Sequence, residues 1–269
     1  MSYVKVPTNP GTNTQVNDVL SGVSVIDYSN SSQGYVMVSQ KGSTRRVVAY
    51  VTAPDGIKFT YDIKTDGTFF TIPLASGNGK YTVQILEQIT EQFRPLVTLE
   101  LNASMADANL PFLYPSIKVN FSANSQAVKH AAELTRGMTS EMDKIEAIYG
   151  YIIKNIKYDN DKAAATTSAY VSDPDVTLNI KKGICGDYSV LLATMLRSQN
   201  IPVKVVEGND RNNGNVRHAW NLIYTKDKGT VAIVLKFDGN AWTLADSTYG
   251  AADPKMGGNH GGYIQDKVW

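Results

Sequence analysis

The chain has 269 residues, of which 42% are hydrophobic, 19% charged and 9% aromatic, enough for two domains of ordinary size and unlike the composition of a disordered polypeptide. Its 26 basic and 25 acidic residues leave a net charge of +1, divided evenly as 9 and 9 up to residue 122 and 17 and 16 beyond it. This balance argues against a tracker of nucleic-acid phosphates, and no run of about 18 apolar residues offers a membrane span.

The first twenty residues, MSYVKVPTNPGTNTQVNDVL, lack the charged start and apolar centre of a signal peptide. Rich in Pro, Asn, Thr and Gly, they read as a linker and as a place where a longer natural protein was cut. From about Val23 to Leu101, short β-branched and aromatic runs are separated by turn signals at Pro54-Asp55-Gly56, Asp66-Gly67 and Gly77-Asn78-Gly79. In KYTVQIL, Tyr81, Val83 and Ile85 alternate with polar residues, and in PLVTLELN, Val97, Leu99 and Leu101 do the same. A period of two buries one face of each strand. About seven such strands predict an immunoglobulin-like β-sandwich over residues 1–122, counting the linker, with PFLYPSIKVNF (111–121) as a proline-bearing connection. The Asn, Thr and Ser content of this part suggests an extracellular or cell-surface setting.

After Asn124 the period changes. Ser140 followed by Asp143 is a capping-box pattern, and Met142, Ile145, Ile148, Tyr149, Ile152, Ile153 and Ile156 recur at helical steps. A second helix is signalled by Tyr188, Leu191, Leu192, Met195 and Leu196, ending before Pro202. Strands are predicted at 203–208, 216–224, 231–237 and 241–246, with Asp238-Gly239 turning the last pair. Helices followed by an antiparallel sheet predict an α+β domain over residues 123–269.

Cys185 is the only cysteine, so it forms no intramolecular disulfide, and three histidines complete no zinc-like cluster. It lies in KKGICGDYSVLL, placing it in the first turn of the second helix, where unpaired N–H groups and the helix dipole favour a thiolate. An isolated cysteine at such a position is otherwise core packing. His218 shares a strand face with Trp220, Leu222 and Tyr224; it is either a satisfied core histidine or the imidazole that takes a thiol proton and returns it to a leaving amine. Asp246 ends a strand on the face of Trp242 and Leu244, where its carboxylate either orients that imidazole or closes an Asx turn near Thr248. Trp220 either walls such a site against water or simply packs.

A nucleophile at a helix start, a base on a strand and an acid at the end of another strand resemble the transglutaminase-like superfamily of cysteine acyl-transfer enzymes. The likeness rests on GICGDYSVLLATMLRSQNIPVKVVEG (183–208), HAWNLIY (218–224), WTLADSTYG (242–250) and the lead-in IKNIKYD (153–159). It departs at Ser247, where many relatives have proline after the acid. The resemblance implies a papain-like core, Cys185 as nucleophile, His218 as base, Asp246 as orienter, a peptide or carboxamide substrate and no cofactor. It also implies an oxyanion donor at the Cys185 N–H and a second on an upstream aromatic or amide side chain, for which Tyr170 is the expectation; otherwise Tyr170 is a surface-loop tyrosine. Bacterial members lean towards hydrolysis, while an amine acceptor would make a protein cross-linker. The reading from another class is a catalytically silent surface module binding protein or glycan, and a structural protein with a buried cysteine stands third. His130 and His260 read as non-catalytic, Asp173 and Asp175 as the start of a turn, and Arg45-Arg46 and Lys181-Lys182 as solvated pairs.

Overall fold

The computed structural model describes residue 5 and residues 11–18, 21–167, 170–232, 234–258 and 261–269. The chain divides into two compact units, one over Pro7–Pro111 and one comprising residues 1–6 with Phe112–Trp269. Most of the linker-like start and His260 lie outside the described residues.

Among the described residues the first unit holds eight strands: β1 (Thr14–Asn17), β2 (Val23–Asp27), β3 (Tyr35–Lys41), β4 (Val47–Thr52), β5 (Lys58–Ile63), β6 (Phe70–Pro73), β7 (Gly79–Ile89) and β8 (Gln92–Ala103). They form two antiparallel sheets, ordered β1-β2-β3-β6 and β5-β4-β7-β8. The chain crosses between sheets after β3, β5 and β6, as a Greek-key sandwich requires. Alternation is sharp where expected: in β7, Tyr81, Val83 and Ile85 are buried between half-buried Thr82 and Gln84. The Tyr81 hydroxyl donates to Gly77 O at 2.8 Å and accepts from Ser76 N–H at 3.0 Å. This corner, in which a tyrosine early in a strand ties down the preceding turn, is a hallmark of immunoglobulin-like sandwiches.

The boundary at 111/112 precedes the expected 122/123 because 112–121 is core rather than connection. Phe112, Tyr114, Val119 and Phe121 are buried, and the Tyr114 carbonyl accepts from Arg197 Nη1 at 2.8 Å. The second unit continues with α1 (Gln126–Leu134), α2 (Glu141–Asn155), β9 (Lys157–Tyr158), α3 (Asn160–Ala165), α4 (Pro174–Ile180), β10 (Lys182–Gly183) and α5 (Cys185–Arg197). Then come β11 (Val203–Asp210), β12 (Val216–Thr225), β13 (Lys228–Val231), β14 (Leu235–Asp238), β15 (Ala241–Ala245), α6 (Ser247–Ala252) and β16 (Tyr263–Val268). A mixed α+β unit results, with an antiparallel sheet ordered β15-β12-β11-β16.

Helix α5 is buried from Asp187 to Arg197, as a helix apolar around most of its surface must be. It packs on β11 and β12 on one side and on α2 on the other, where Ile145, Ile148, Tyr149 and Ile152 supply the apolar stripe. Ser140 caps α2 by accepting from Asp143 N–H. Asp173 caps α4, while Asp175 accepts from the Gln126 and Ala127 N–H groups at the start of α1, so both residues of the expected turn are helix caps. The single strand expected at 231–237 is instead a hairpin of β13 and β14, broken after Val231, where Ala232 takes a φ of 48°.

Arg197 ends α5 wholly buried, with its guanidinium spread over the carbonyls of Val203, Tyr114 and Trp269 at 2.7–3.1 Å. One side chain thereby ties together the helix end, the segment after residue 112 and the last residue of the chain. Arg197→Met strips the guanidinium donors from these carbonyls, leaving the Trp269 carbonyl its bond from Val205 N–H, and is expected to cost about 3 kcal/mol of stability, read from urea unfolding; an unchanged midpoint would show that the carbonyls find other partners.

Candidate active site

Helix α5 begins at Cys185 itself, after Ile184 in extended conformation. The parallel pairing of β10 with β9, which sets Gly183 beside Tyr158, aims this start. Gly183 cannot carry a side chain, because a Cβ there would stand 2.7 Å from Asp187 Cβ. The half-buried Cys185 has a backbone N–H with no carbonyl acceptor among the described residues.

His218 stands near the start of β12, its side chain 9% exposed, and its Nε2 lies 2.6 Å from Asp246 Oδ2. Cys185 lies near enough to the imidazole to act on its charge state. Burial pushes the imidazole pKa down, but the hydrogen bonds and charges of Asp246 and Cys185 outweigh it and raise it from 6.5 to about 10. The more buried face of β12 is not that of His218: Ala219, Asn221, Ile223 and Thr225 are buried, and Asn221 Nδ2 donates to Ser189 O of α5 at 3.0 Å. His218 instead sits among rings, with Tyr249 at 5.0 Å and with Trp220 and Tyr263 each stacked at 6.2 Å.

Asp246 is completely buried and divides its oxygens between the two tasks the sequence allows. Oδ1 accepts from the Thr248 and Tyr249 N–H groups at 3.0 Å and caps α6. Oδ2 accepts from His218 and from the Tyr263 hydroxyl, the latter at 2.9 Å. The Asx turn and the orienting bond therefore coexist. Tyr149 of α2 donates to the Asp246 carbonyl at 3.1 Å, and Tyr249 donates to Asp210 Oδ2 at 2.7 Å.

Tyr170 is not placed as the expected oxyanion donor. Its hydroxyl donates its one proton to Asp187 Oδ1 at 2.7 Å and accepts from Lys162 Nζ at 2.6 Å. Burial, together with Asp187, pushes the phenol pKa up. Tyr158, set beside Gly183 by the β9–β10 pairing, is the aromatic whose phenol pKa burial and then the Cys185 charge raise, and it is 42% exposed on the wall of the cleft beside His218. The YD of IKNIKYD was its signal in the sequence. His130 lies away from this cluster, against Tyr151 with ring centroids 4.4 Å apart.

Asp187, two residues after the cysteine, was also missed. Its carboxylate is fully buried and accepts from Ile184 N–H at 2.9 Å, Lys162 Nζ at 2.6 Å and Tyr170. An Asp at the third helical position is a readable cap; the lysine that neutralises it comes from α3 and was not readable. Among the described residues no group of three His, Cys, Asp or Glu side chains is placed to hold a metal ion, and no helix is long and apolar enough to cross a membrane.

Residues 128–247 match the model of the transglutaminase-like superfamily, and this part of the chain is a transglutaminase-like domain. Among solved structures, a candidate cysteine protease from Cytophaga hutchinsonii is 16% identical with a TM-score of 0.44, over 86% of this chain and 73% of that one. The periplasmic domain of TgpA from Pseudomonas aeruginosa, bound to ethylmercury, is 16% identical with a TM-score of 0.36, over 80% and 72%. A structure described as a TGase is 22% identical with a TM-score of 0.33, over 46% of this chain and 30% of that one. A search of curated proteins finds no match.

Two outcomes are expected. Lys162→Met strips the buried Asp187 of its counter-charge and costs about 3–5 kcal/mol; adding Asp187→Asn, which removes the stranded charge, recovers part of that loss in urea unfolding. The raised pKa of His218 makes its contribution to stability complete below its ordinary 6.5 and lost as pH rises towards about 10. Unfolding free energy should therefore fall between those pH values more steeply in the native protein than in His218→Gln; equal slopes would refute the raised pKa.

Proposed function

We propose that the protein is a cysteine-dependent acyl-transfer enzyme that forms a thioester between Cys185 and a peptide or carboxamide carbonyl, with water as the usual acceptor. The observation that carries this reading is His218 bonded through Nε2 to the buried Asp246 at 2.6 Å, on the wall of an open cleft and near enough to Cys185 for the cysteine to act on its charge. With its pKa raised to about 10, the imidazole is an imidazolium at neutral pH and can pair with a thiolate at the helix start.

In the proposed cycle, Cys185 Sγ attacks the carbonyl carbon and the carbonyl oxygen becomes an oxyanion. That oxygen takes a hydrogen bond from the Cys185 N–H and a second from Tyr158, which replaces Tyr170 in this role. His218 gives its proton to the leaving nitrogen as the C–N bond breaks, leaving the acyl group on sulfur and a neutral imidazole. Water then adds to the thioester and loses a proton to His218; expulsion of the thiolate releases the acid and restores the ion pair. Asp246 keeps Nε2 protonated and the ring fixed throughout. An amine in place of water would close the same cycle with a new amide, making the protein a cross-linker. The same proposal places the protein outside the cell or on its surface, supported by the composition of the sandwich.

The test follows the acyl-enzyme by intact mass with activated ester and peptide substrates, with cleavage and labelled-amine incorporation measured in parallel. Cys185→Ala should form no adduct, His218→Ala should turn over about 10²–10⁴-fold more slowly, and Tyr158→Phe should lose about 10²–10³-fold. Turnover that survives Cys185→Ala would sink the proposal, and incorporation without cleavage would replace hydrolysis with cross-linking.

A further inference from the structure

Beside His218 and Tyr158 lies a cleft of about 540 Å³, within the range of volumes that hold small ligands or a few side chains. Its apolar lining comes from two directions. Ile153 and Ile156 extend from the end of α2 and the residue after it, and Ala251 and Ala252 close it from the end of α6. Two lysines and one arginine line it as well, Lys154, Lys157 and Arg217, besides His218, and no Asp or Glu among the described residues does.

The charges of these cations are not equally available. Arg217 is ion-paired with Asp266 and stands 4.0 Å from Glu207, so much of its charge is matched. Lys154 and Lys157 are both exposed and form no ion pair among the described residues. Lys154 sits in the last turn of α2, where the helix dipole favours a cation; Lys157, on β9, has no such explanation. The acids around them are already engaged: Asp159 and Asp161 lie 3.1 and 3.7 Å from Lys182 Nζ, and Asp253 accepts from Lys255 N–H. An apolar cleft lined by two unmatched cations, opening onto His218, complements a carboxylate next to an apolar side chain.

Taking Cys185 as the nucleophile, as proposed above, we infer that the cleft binds polypeptide segments in which an apolar residue is flanked by acidic side chains, so that the substrates are acidic-hydrophobic stretches of protein. Water-exposed cations contribute modestly one by one and are weakened by salt. Two of them together are worth about tenfold in affinity, fading as ionic strength rises.

Binding is measured on full-length Cys185→Ala by fluorescence anisotropy, which separates recognition from chemistry. Three labelled peptides share a Leu-Gln centre and differ only in flanking Glu, Gln or Lys. The Glu peptide should bind about tenfold more tightly than the Gln peptide, the Lys peptide most weakly, and high salt should erase the difference. Lys154→Glu/Lys157→Glu, introduced in the same background, should invert the order. Equal affinities, a preference for Lys, or no binding by any of the three would overturn the inference, and the salt series tests it without the charge-reversed protein. The two readings fail separately: acidic preference without turnover in the native protein would leave the cleft and sink the acyl-transfer mechanism, whereas turnover without charge preference would do the reverse.

Discussion

The carboxylate of Asp246 is the constraint on which the site depends. A fully buried carboxylate survives only if each oxygen is well supplied with donors, and here one oxygen takes two backbone N–H groups while the other takes an imidazole and a phenol. Because the first set starts α6 and the second holds His218, the residue cannot orient the histidine without also fixing the turn after β15. Tyr149 extends the constraint to α2 by donating to the Asp246 carbonyl. His218 is thus positioned by three elements that meet at one residue, which gives the site rigidity.

The nucleophile end follows a parallel logic. Asp187 is as buried as Asp246, and a lone carboxylate two residues from Cys185 would oppose a thiolate there. Lys162 and Tyr170 satisfy it, and α3, which carries Lys162, is capped by Asp159, itself paired with Lys182 just before the cysteine. Each acid near Cys185 is therefore matched locally. The same matching leaves Lys154 and Lys157 as the unmatched cations of the cleft.

What the sequence made legible was what is local. Period two with turn dipeptides revealed the sandwich strands, helical spacing revealed α2 and α5, and Cys185, His218 and Asp246 stood out because each sits at the start of, within or just beyond an element whose type is readable. What escaped depended on pairings between distant segments. Tyr158 and Tyr170 are both upstream aromatics, and only the parallel pairing of β9 with β10 brings one to the cysteine while Asp187 captures the other. The prolines of PFLYPSIKVNF suggest a connection, whereas its aromatics are buried and its Tyr114 carbonyl is tied to Arg197 some eighty residues later. VAIVLKF alternates like a strand, and no glycine or asparagine betrays the left-handed turn at Ala232.

The part of the chain after residue 247 deserves the same physical reading as the part that matches the superfamily. Strand β16 pairs with β11 across a bulge at Glu207/Gly208, and a Cβ on Gly208 would stand 1.9 Å from the Ile264 carbonyl. Only glycine lets β16 lie that close, and its closeness carries Tyr263 onto both Asp246 and the rings of His218 and Trp220. Tyr249, which also lies beyond the matched segment, packs on His218 and lines the cleft. The chemistry proposed for the site belongs to residues within 128–247, Tyr158 among them, whereas two of the rings around His218, Tyr249 and Tyr263, come from the residues that follow. Under the proposed function, this C-terminal segment can therefore vary the wall of the cleft while Cys185, His218 and Asp246 keep their places.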